Sequence, residues 1–191
     1  GEPATYVCAK ALLNAHFNPK AADIAFEDYK PGDKLVPFKV VAEYKGTDLV
    51  GMKYEQLLPW ITPENADQAF RVIPGDYVTT EDGTGIVHIA PTFGADDAKV
   101  AKAAGIPPLQ LIDKNGNLRP SVDLTGKFYL LSDLDDEYVK THINVEEYKQ
   151  FEGRFVKNAY DKNLTDKDET LDVAICMLMK ATNKAFKIEK H

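Results

Sequence analysis

The sharpest change of pattern along the chain falls between residues 81 and 105. Glu81-Asp82-Gly83-Thr84-Gly85 is polar and glycine-rich, which is turn chemistry. Residues 86–90 then run apolar and β-branched over the length of a buried strand, with His88 as the interruption. Alternation at a period of two puts Ile86, His88 and Ala90 on one face and Val87 and Ile89 on the other, so the imidazole is expected on a largely apolar face. Pro91 ends the strand, Gly94 allows a sharp turn, and Asp96-Asp97 open an alanine-rich helix that Gly105 and Pro107-Pro108 terminate. Carboxylates in a first helical turn face the positive end of the helix dipole. The strand end and the helix start are therefore expected close in space, with His88 near the two carboxylates.

The rest of the chain is mostly short β patterns. Residues 4–9 read as a strand and 10–15 as a short helical or turn segment before Asn18-Pro19. Residues 35–44 alternate as a strand between the turns Pro31-Gly32-Asp33 and Lys45-Gly46-Thr47-Asp48. The aromatic and leucine-rich stretch 54–60 could stack a terminal adenine, although such residues more often fill a core. Two short strands, 70–73 and 77–80, flank Pro74-Gly75-Asp76. Past the helix, 109–112 is a strand, Lys114-Asn115-Gly116-Asn117 a hairpin turn and Leu118-Arg119-Pro120 its return. Residues 132–148 carry six carboxylates, mostly a solvated face, and Phe155-Val156 is a further strand. In 170–184, Leu171, Ala174, Ile175, Leu178 and Ala181 recur at helical spacing as one apolar stripe. This pattern predicts an α+β fold, a closed or partly closed β-barrel flanked by helices.

Composition narrows the function. With 191 residues and 44% apolar content, the chain can bury a core, and residues 1–191 are read as a single domain. The net charge of −7 argues against broad electrostatic binding to nucleic acid, but not against inspection of one RNA end. No apolar run approaches the roughly 20 residues that cross a bilayer, and no charged-then-apolar leader is visible. A soluble, cytoplasmic chain without a membrane partner is expected. Cys8 and Cys176 form no Cys-x-x-Cys pair, and His16, His142 and His191 are scattered, so no zinc site is expected. Neither a Gly-x-Ser-x-Gly elbow nor a phosphate loop is present. Taken singly, His88 reads as a core histidine and Asp96 or Asp97 as a helix cap. A helix start needs only one good cap, so the second carboxylate is free to serve another purpose.

The string Gly83-Thr84-Gly85-Ile86-Val87-His88-Ile89-Ala90-Pro91, with Gly94 and Asp96-Asp97 after it, resembles the signature of the editing domain (connective peptide 1 insertion) of the isoleucyl-tRNA synthetase family, within the class I aminoacyl-tRNA synthetases. The related valyl and leucyl families carry a lysine or a methionine where His88 stands. Gly51-Met52-Lys53-Tyr54-Glu55-Gln56-Leu57 resembles the family's Gly-x-x-Tyr-x-x-Leu segment, and Val122-Asp123-Leu124-Thr125-Gly126-Lys127-Phe128 its Val-Asp-x-x-Gly-x-Phe segment. The resemblance implies a barrel-like editing domain that hydrolyses the ester of valine wrongly joined to isoleucine tRNA. It assigns Asp97 and His88 as the catalytic residues. Asp97, nine positions after His88, is expected to anchor the α-ammonium group, and His88 to help set which side chain fits. Gly83, Thr84, Gly85 and Asp96 are the expected substrate-binding residues, the glycines permitting close backbone approach to the ligand.

No cofactor is expected in this domain; ATP, and zinc where the parent enzyme uses it, belong elsewhere in the parent. The expected partners are the 3′ end of isoleucine tRNA carrying valine and the rest of the synthetase. The family's Thr-Thr-Thr-Pro-Trp-Thr peptide lies N-terminal to every residue here, and Thr79-Thr80 is not that peptide. A truncated fragment holding part of a site is therefore the expectation. Two further readings stay open: a non-catalytic module that binds a tRNA 3′ end or an amino acid, and an editing domain of valyl type that removes threonine from valine tRNA.

Overall fold

Two of the helices are capped by side chains and a third stops at a glycine. In the computed structural model, which describes residues 3–165 and 167–188, α1 spans Leu13–His16, α2 Ala95–Ala103, α3 Asp136–His142, α4 Val145–Tyr148 and α5 Leu171–Ala181. Helix α2 stops where Gly105, at φ +68°, turns left-handed: Gly105 N–H donates to Lys102 O (3.2 Å) and Ile106 N–H to Ala101 O (2.8 Å). These paired bonds close the last helical carbonyls in the manner that a glycine after the C-cap allows. The side chain of Asp135 caps α3 through Tyr138 N–H, and that of Asn144 caps α4 through Glu147 N–H. Both caps lie inside the stretch read from sequence as a solvated acidic face. That face is real, but its helices also bury Tyr138 and Tyr148.

The chain divides into two compact units, one of residues 1–52 and 71–89, the other of residues 53–70 and 90–191. The second unit holds most of the buried core. Trp60 stacks on Phe151 with ring centroids 4.0 Å apart, and Leu111, Leu134 and Tyr148 are fully enclosed. The Tyr148 hydroxyl donates to Tyr129 O (2.8 Å) and the Tyr138 hydroxyl to Gln110 O (2.7 Å), so neither phenol is buried without a partner. Burial raises both phenols above the usual tyrosine range, Tyr138 to about 12 with the charge of Glu64 assisting. Ala174, Ile175 and Leu178 of the predicted stripe pack α5 against this core beside buried Leu171, whereas Ala181 stays exposed.

The same unit contains the hairpin, shorter than the sequence suggested. Strands β1 (Leu111–Ile112) and β2 (Leu118–Arg119) pair antiparallel, Leu111 opposite Arg119 and Ile112 opposite Leu118. Its turn is tied by Asp113, whose carboxylate accepts from the backbone N–H of Asn115 and Asn117 and from Arg119 Nε at 2.8 Å. The Asn117 amide and the Arg119 guanidinium hold the Asp113 carboxyl well below the usual carboxylate range. The segment at 155–156 contributes a single bridge, Lys127 to Phe155.

The first unit is sparsely packed, with Ala21 and Pro37 its buried apolar residues among those described. Phe17 stacks on Phe38 at 5.1 Å, and Lys10 pairs with Glu43 at 2.8 Å. Gly51 N–H donates to Val72 O and Val72 N–H to Met52 O, both at 2.9 Å. The strands expected at 4–9, 35–44, 70–73, 77–80 and 86–90 are not formed as ladders, and the described residues form one two-stranded sheet with isolated bridges rather than a closed barrel. The physical reason is visible in exposure. Val36, Val40, Val41 and Tyr44 are all more than half exposed. β-branched side chains favour a strand by packing on cross-strand neighbours, and these have none. What stands, then, is a mixed helix-and-sheet chain. No helix among the described residues is long and apolar enough to cross a membrane. His191, with Glu189 and Lys190, lies outside the described residues.

Candidate active site

The glycine-rich turn is held from one side. Gly83 (φ +60°) and Gly85 (φ +76°) both adopt left-handed backbone, which L side chains rarely enter. Thr84 bridges them, its Oγ1 donating to Ile86 O (3.2 Å) and accepting from Ile86 N–H (3.4 Å). Ala9 N–H donates to Thr84 O at 2.7 Å, and His16 Nε2 lies 2.7 Å from Gly83 O. A Cβ built on Gly85 would come within 2.7 Å of the Ala9 Cβ, whereas one on Gly83 would meet nothing within 4 Å. The close approach at Gly85 is thus made by Ala9 of the same chain, and the open side of the turn is at Gly83.

Residues 86–90 follow without a strand, and this corrects the expected setting of His88. Ile86 is 47% and Val87 53% exposed, and the imidazole of His88 is exposed as well. An apolar β-branched run needs partner strands to become a buried face, and none pairs with it here. Gly83, Thr84, Gly85 and His88 belong to the first unit, Asp96 and Asp97 to the second.

At the start of α2 the two carboxylates have separate tasks. Asp96 is exposed and pairs with Lys99, one turn on, at 3.2 Å. Asp97 is half-buried and turns back, its Oδ2 accepting the Ala90 N–H at 2.9 Å. Gly94 makes this possible in a way its expected role did not include. Its backbone is extended at φ −141°, so no left-handed turn is required, but a Cβ there would stand 3.1 Å from the Asp97 Cβ and 3.3 Å from Oδ2. Glycine supplies room rather than conformational freedom. The carboxylate is thereby fixed by a backbone donor through one oxygen, and its other oxygen can accept a cationic donor without releasing the first.

Between Pro91 and α2, the Thr92 hydroxyl donates to Leu109 O at 2.9 Å, and Phe93 lines an apolar cleft of about 420 Å³ in the second unit with Trp60, Leu109 and Phe128. Gln56, on the rim, is committed to Leu58 O and Ile61 O. Of the aromatics that could have stacked a base, Trp60 is core, while Tyr54 is exposed and lies edge-on to Phe70. Cys8 and Cys176 are free thiols. Among the described residues no group of three His, Cys, Asp or Glu side chains is placed to hold a metal ion. The residue that sequence reasoning missed is His16: it was read as scattered, and nothing in its local pattern signals a contact with Gly83.

No family model matches the chain. An isoleucine–tRNA ligase of Bacteroides fragilis is 73% identical over all 191 residues, which make up 17% of that protein. Those of Porphyromonas gingivalis and Cytophaga hutchinsonii are 55% and 51% identical, again across the whole chain, which spans 17% and 16% of their lengths. The chain thus spans about a sixth of the curated relatives it matches.

Proposed function

The chain belongs, along its whole length, to a segment of the isoleucine–tRNA ligase family, and on that premise we propose that it is the family's editing domain, hydrolysing the ester of valine mischarged onto isoleucine tRNA. The observation that carries the reading is Asp97. Its carboxylate is anchored to the Ala90 amide through Oδ2, which leaves Oδ1 to receive the α-ammonium of an aminoacyl group by a charge-assisted hydrogen bond. In this reading His88 sets which amino-acid side chain is accepted, and Gly83, Thr84, Gly85 and Asp96 are the substrate-binding residues.

The reaction needs no protein nucleophile. A water oxygen adds to the ester carbonyl, the bond from that carbon to the ribose oxygen breaks, and a proton passes to the ribose oxygen, giving free valine and deacylated tRNA. The terminal ribose's own free hydroxyl, with nearby protein groups, positions the water. No cofactor takes part in this domain; ATP and any zinc serve the rest of the ligase. The tRNA end and the remainder of the parent enzyme are its partners, and the cytoplasm its compartment.

The physical need is plain. One methylene gives a synthetic pocket about 1–3 kcal/mol of discrimination, isoleucine against valine being the standard worked case of that limit, so a second site that excludes the larger side chain completes the selection. The test is discharge of valyl- and isoleucyl-esterified isoleucine tRNA by the full-length ligase. Clearance of the valyl ester alone supports the proposal. Ligand binding without cleavage supports a binding module instead, and preferential discharge of threonyl-esterified valine tRNA supports a valyl-type specificity.

A further inference from the structure

The contacts around the Gly83-Thr84-Gly85 turn carry an assignment for a residue outside the string. A carbonyl oxygen only accepts, so His16 Nε2, 2.7 Å from Gly83 O, is the donor and carries hydrogen. The next carbonyl, Thr84 O, accepts from Ala9 N–H, also at 2.7 Å. Ala9 and His16 stand at the two ends of one short segment, with the 3₁₀ turn Lys10–Leu12 and α1 (Leu13–His16) between them. Both carbonyls of the turn thus accept from one short segment of chain, residues 9–16.

These bonds have a consequence across the peptide planes. In a planar trans peptide the N–H points opposite to the C=O. With Gly83 O held by His16 and Thr84 O by Ala9, the Thr84 N–H is directed away from His16 and the Gly85 N–H away from Ala9. Two glycines at positive φ would otherwise let these planes rotate, since glycine has the greatest backbone freedom to lose. The Ala9 contact is made by backbone and packs on Gly85, whereas the His16 contact depends on one side chain.

We infer that His16 is a positioning residue of the editing reaction: by donating to Gly83 O it fixes the Gly83–Thr84 peptide plane within the turn that the proposed function assigns to substrate binding. This rests on the reading of the segment as an editing site. His16 touches neither substrate nor reacting atoms; it acts through the turn.

Glutamine places a side-chain N–H where imidazole carries Nε2–H, and alanine places none. The experiment compares wild-type, His16→Gln and His16→Ala forms of the full-length ligase in steady-state discharge of valyl-tRNA, with aminoacylation measured alongside. His16→Ala is expected to lower the discharge kcat on the order of tenfold with KM nearly unchanged, which is the signature of an interaction made in the transition state. His16→Gln is expected to recover most of the loss, and aminoacylation to stay at the wild-type rate in all three. Wild-type discharge by His16→Ala overturns the assignment, as does equal impairment of the alanine and glutamine forms or a change confined to KM. Failure of the wild-type enzyme to discharge valyl-tRNA overturns instead the editing reading beneath it, and this assignment with it.

Discussion

The amide of Ala90 donates to the Asp97 carboxylate at 2.9 Å across a sequence separation of seven, closing a loop between the end of the glycine-rich string and the first turn of α2. One side chain thereby determines both the shape of that loop and the place of a negative charge. Replacing Asp97 by alanine unpairs a half-buried amide and is expected to cost about 1–2 kcal/mol, at the lower end for an unsatisfied donor because water reaches this site. Asp97→Asn keeps an acceptor oxygen and is expected to stay within about 0.5 kcal/mol of wild type. Urea denaturation of the chain, with amide exchange at Ala90, checks both: exchange accelerates in the alanine variant and not in the asparagine one.

The two turn glycines are separable. Gly83→Ala meets open space, so only its left-handed backbone is penalised, by about 1–2 kcal/mol. Gly85→Ala bears the same backbone penalty and also drives a methyl to 2.7 Å from the Ala9 Cβ, so its cost is expected to exceed that of Gly83→Ala. Comparing the two midpoints of unfolding measures the Ala9 contact directly; equal midpoints contradict the packing described.

Asp113 predicts an acid limb. Its folded-state pKa lies below the unfolded value, held there by the Asn117 amide first and then by Arg119. A depressed carboxylate contributes stability that is fully present above the unfolded pKa of about 3.9 and is lost as the pH falls from there towards the folded value. Asp113→Asn removes the charge, so wild type is expected to lead the variant in melting temperature at pH 7 and that lead to shrink steadily as the pH falls below about 3.9 towards 2. Thermal melts across that range test the sign, and a gap that widens on acidification contradicts it.

In the core, Tyr148→Phe removes the hydroxyl that donates to Tyr129 O and leaves a buried carbonyl without its partner. The expected cost is about 1–3 kcal/mol, with the fold retained because the ring itself still fills the site. Chemical denaturation followed by tryptophan fluorescence reports it, since Trp60 sits in the same cluster.

Local signals carried much of the architecture. Helix α2 was readable because Gly94, the acidic first turn, Gly105 and the two prolines are all start and stop signals within one turn of its ends, and α5 because its stripe is periodic. The hairpin was readable from Asn115-Gly116. The asparagine and aspartate caps of α3 and α4 were equally present, but a run of carboxylates masked them as a solvated face. The 35–44 and 86–90 segments illustrate the opposite failure. Alternation and β-branching state what a strand would bury, not whether a partner strand arrives to be buried against. Of the site, the string from Gly83 to Asp97 was legible as a motif, yet its supports were not. The Ala90–Asp97 bond depends on the room at Gly94, and the His16–Gly83 contact joins residues 67 apart with no local pattern to announce it.

The most direct test of the account is single-turnover discharge of valyl-esterified isoleucine tRNA by the full-length ligase carrying Asp97→Asn, beside wild type and with the isoleucyl ester as control. Asparagine keeps the bond to Ala90 and removes the charge proposed to meet the α-ammonium, so shape and charge are tested apart. The account predicts that wild type clears the valyl ester and spares the isoleucyl one, while Asp97→Asn folds normally, aminoacylates normally and loses valyl discharge by a factor of at least about 10, the equivalent of 1.4 kcal/mol in the barrier. Discharge by Asp97→Asn at the wild-type rate would contradict it, and would leave Asp97 a loop anchor with no part in the chemistry.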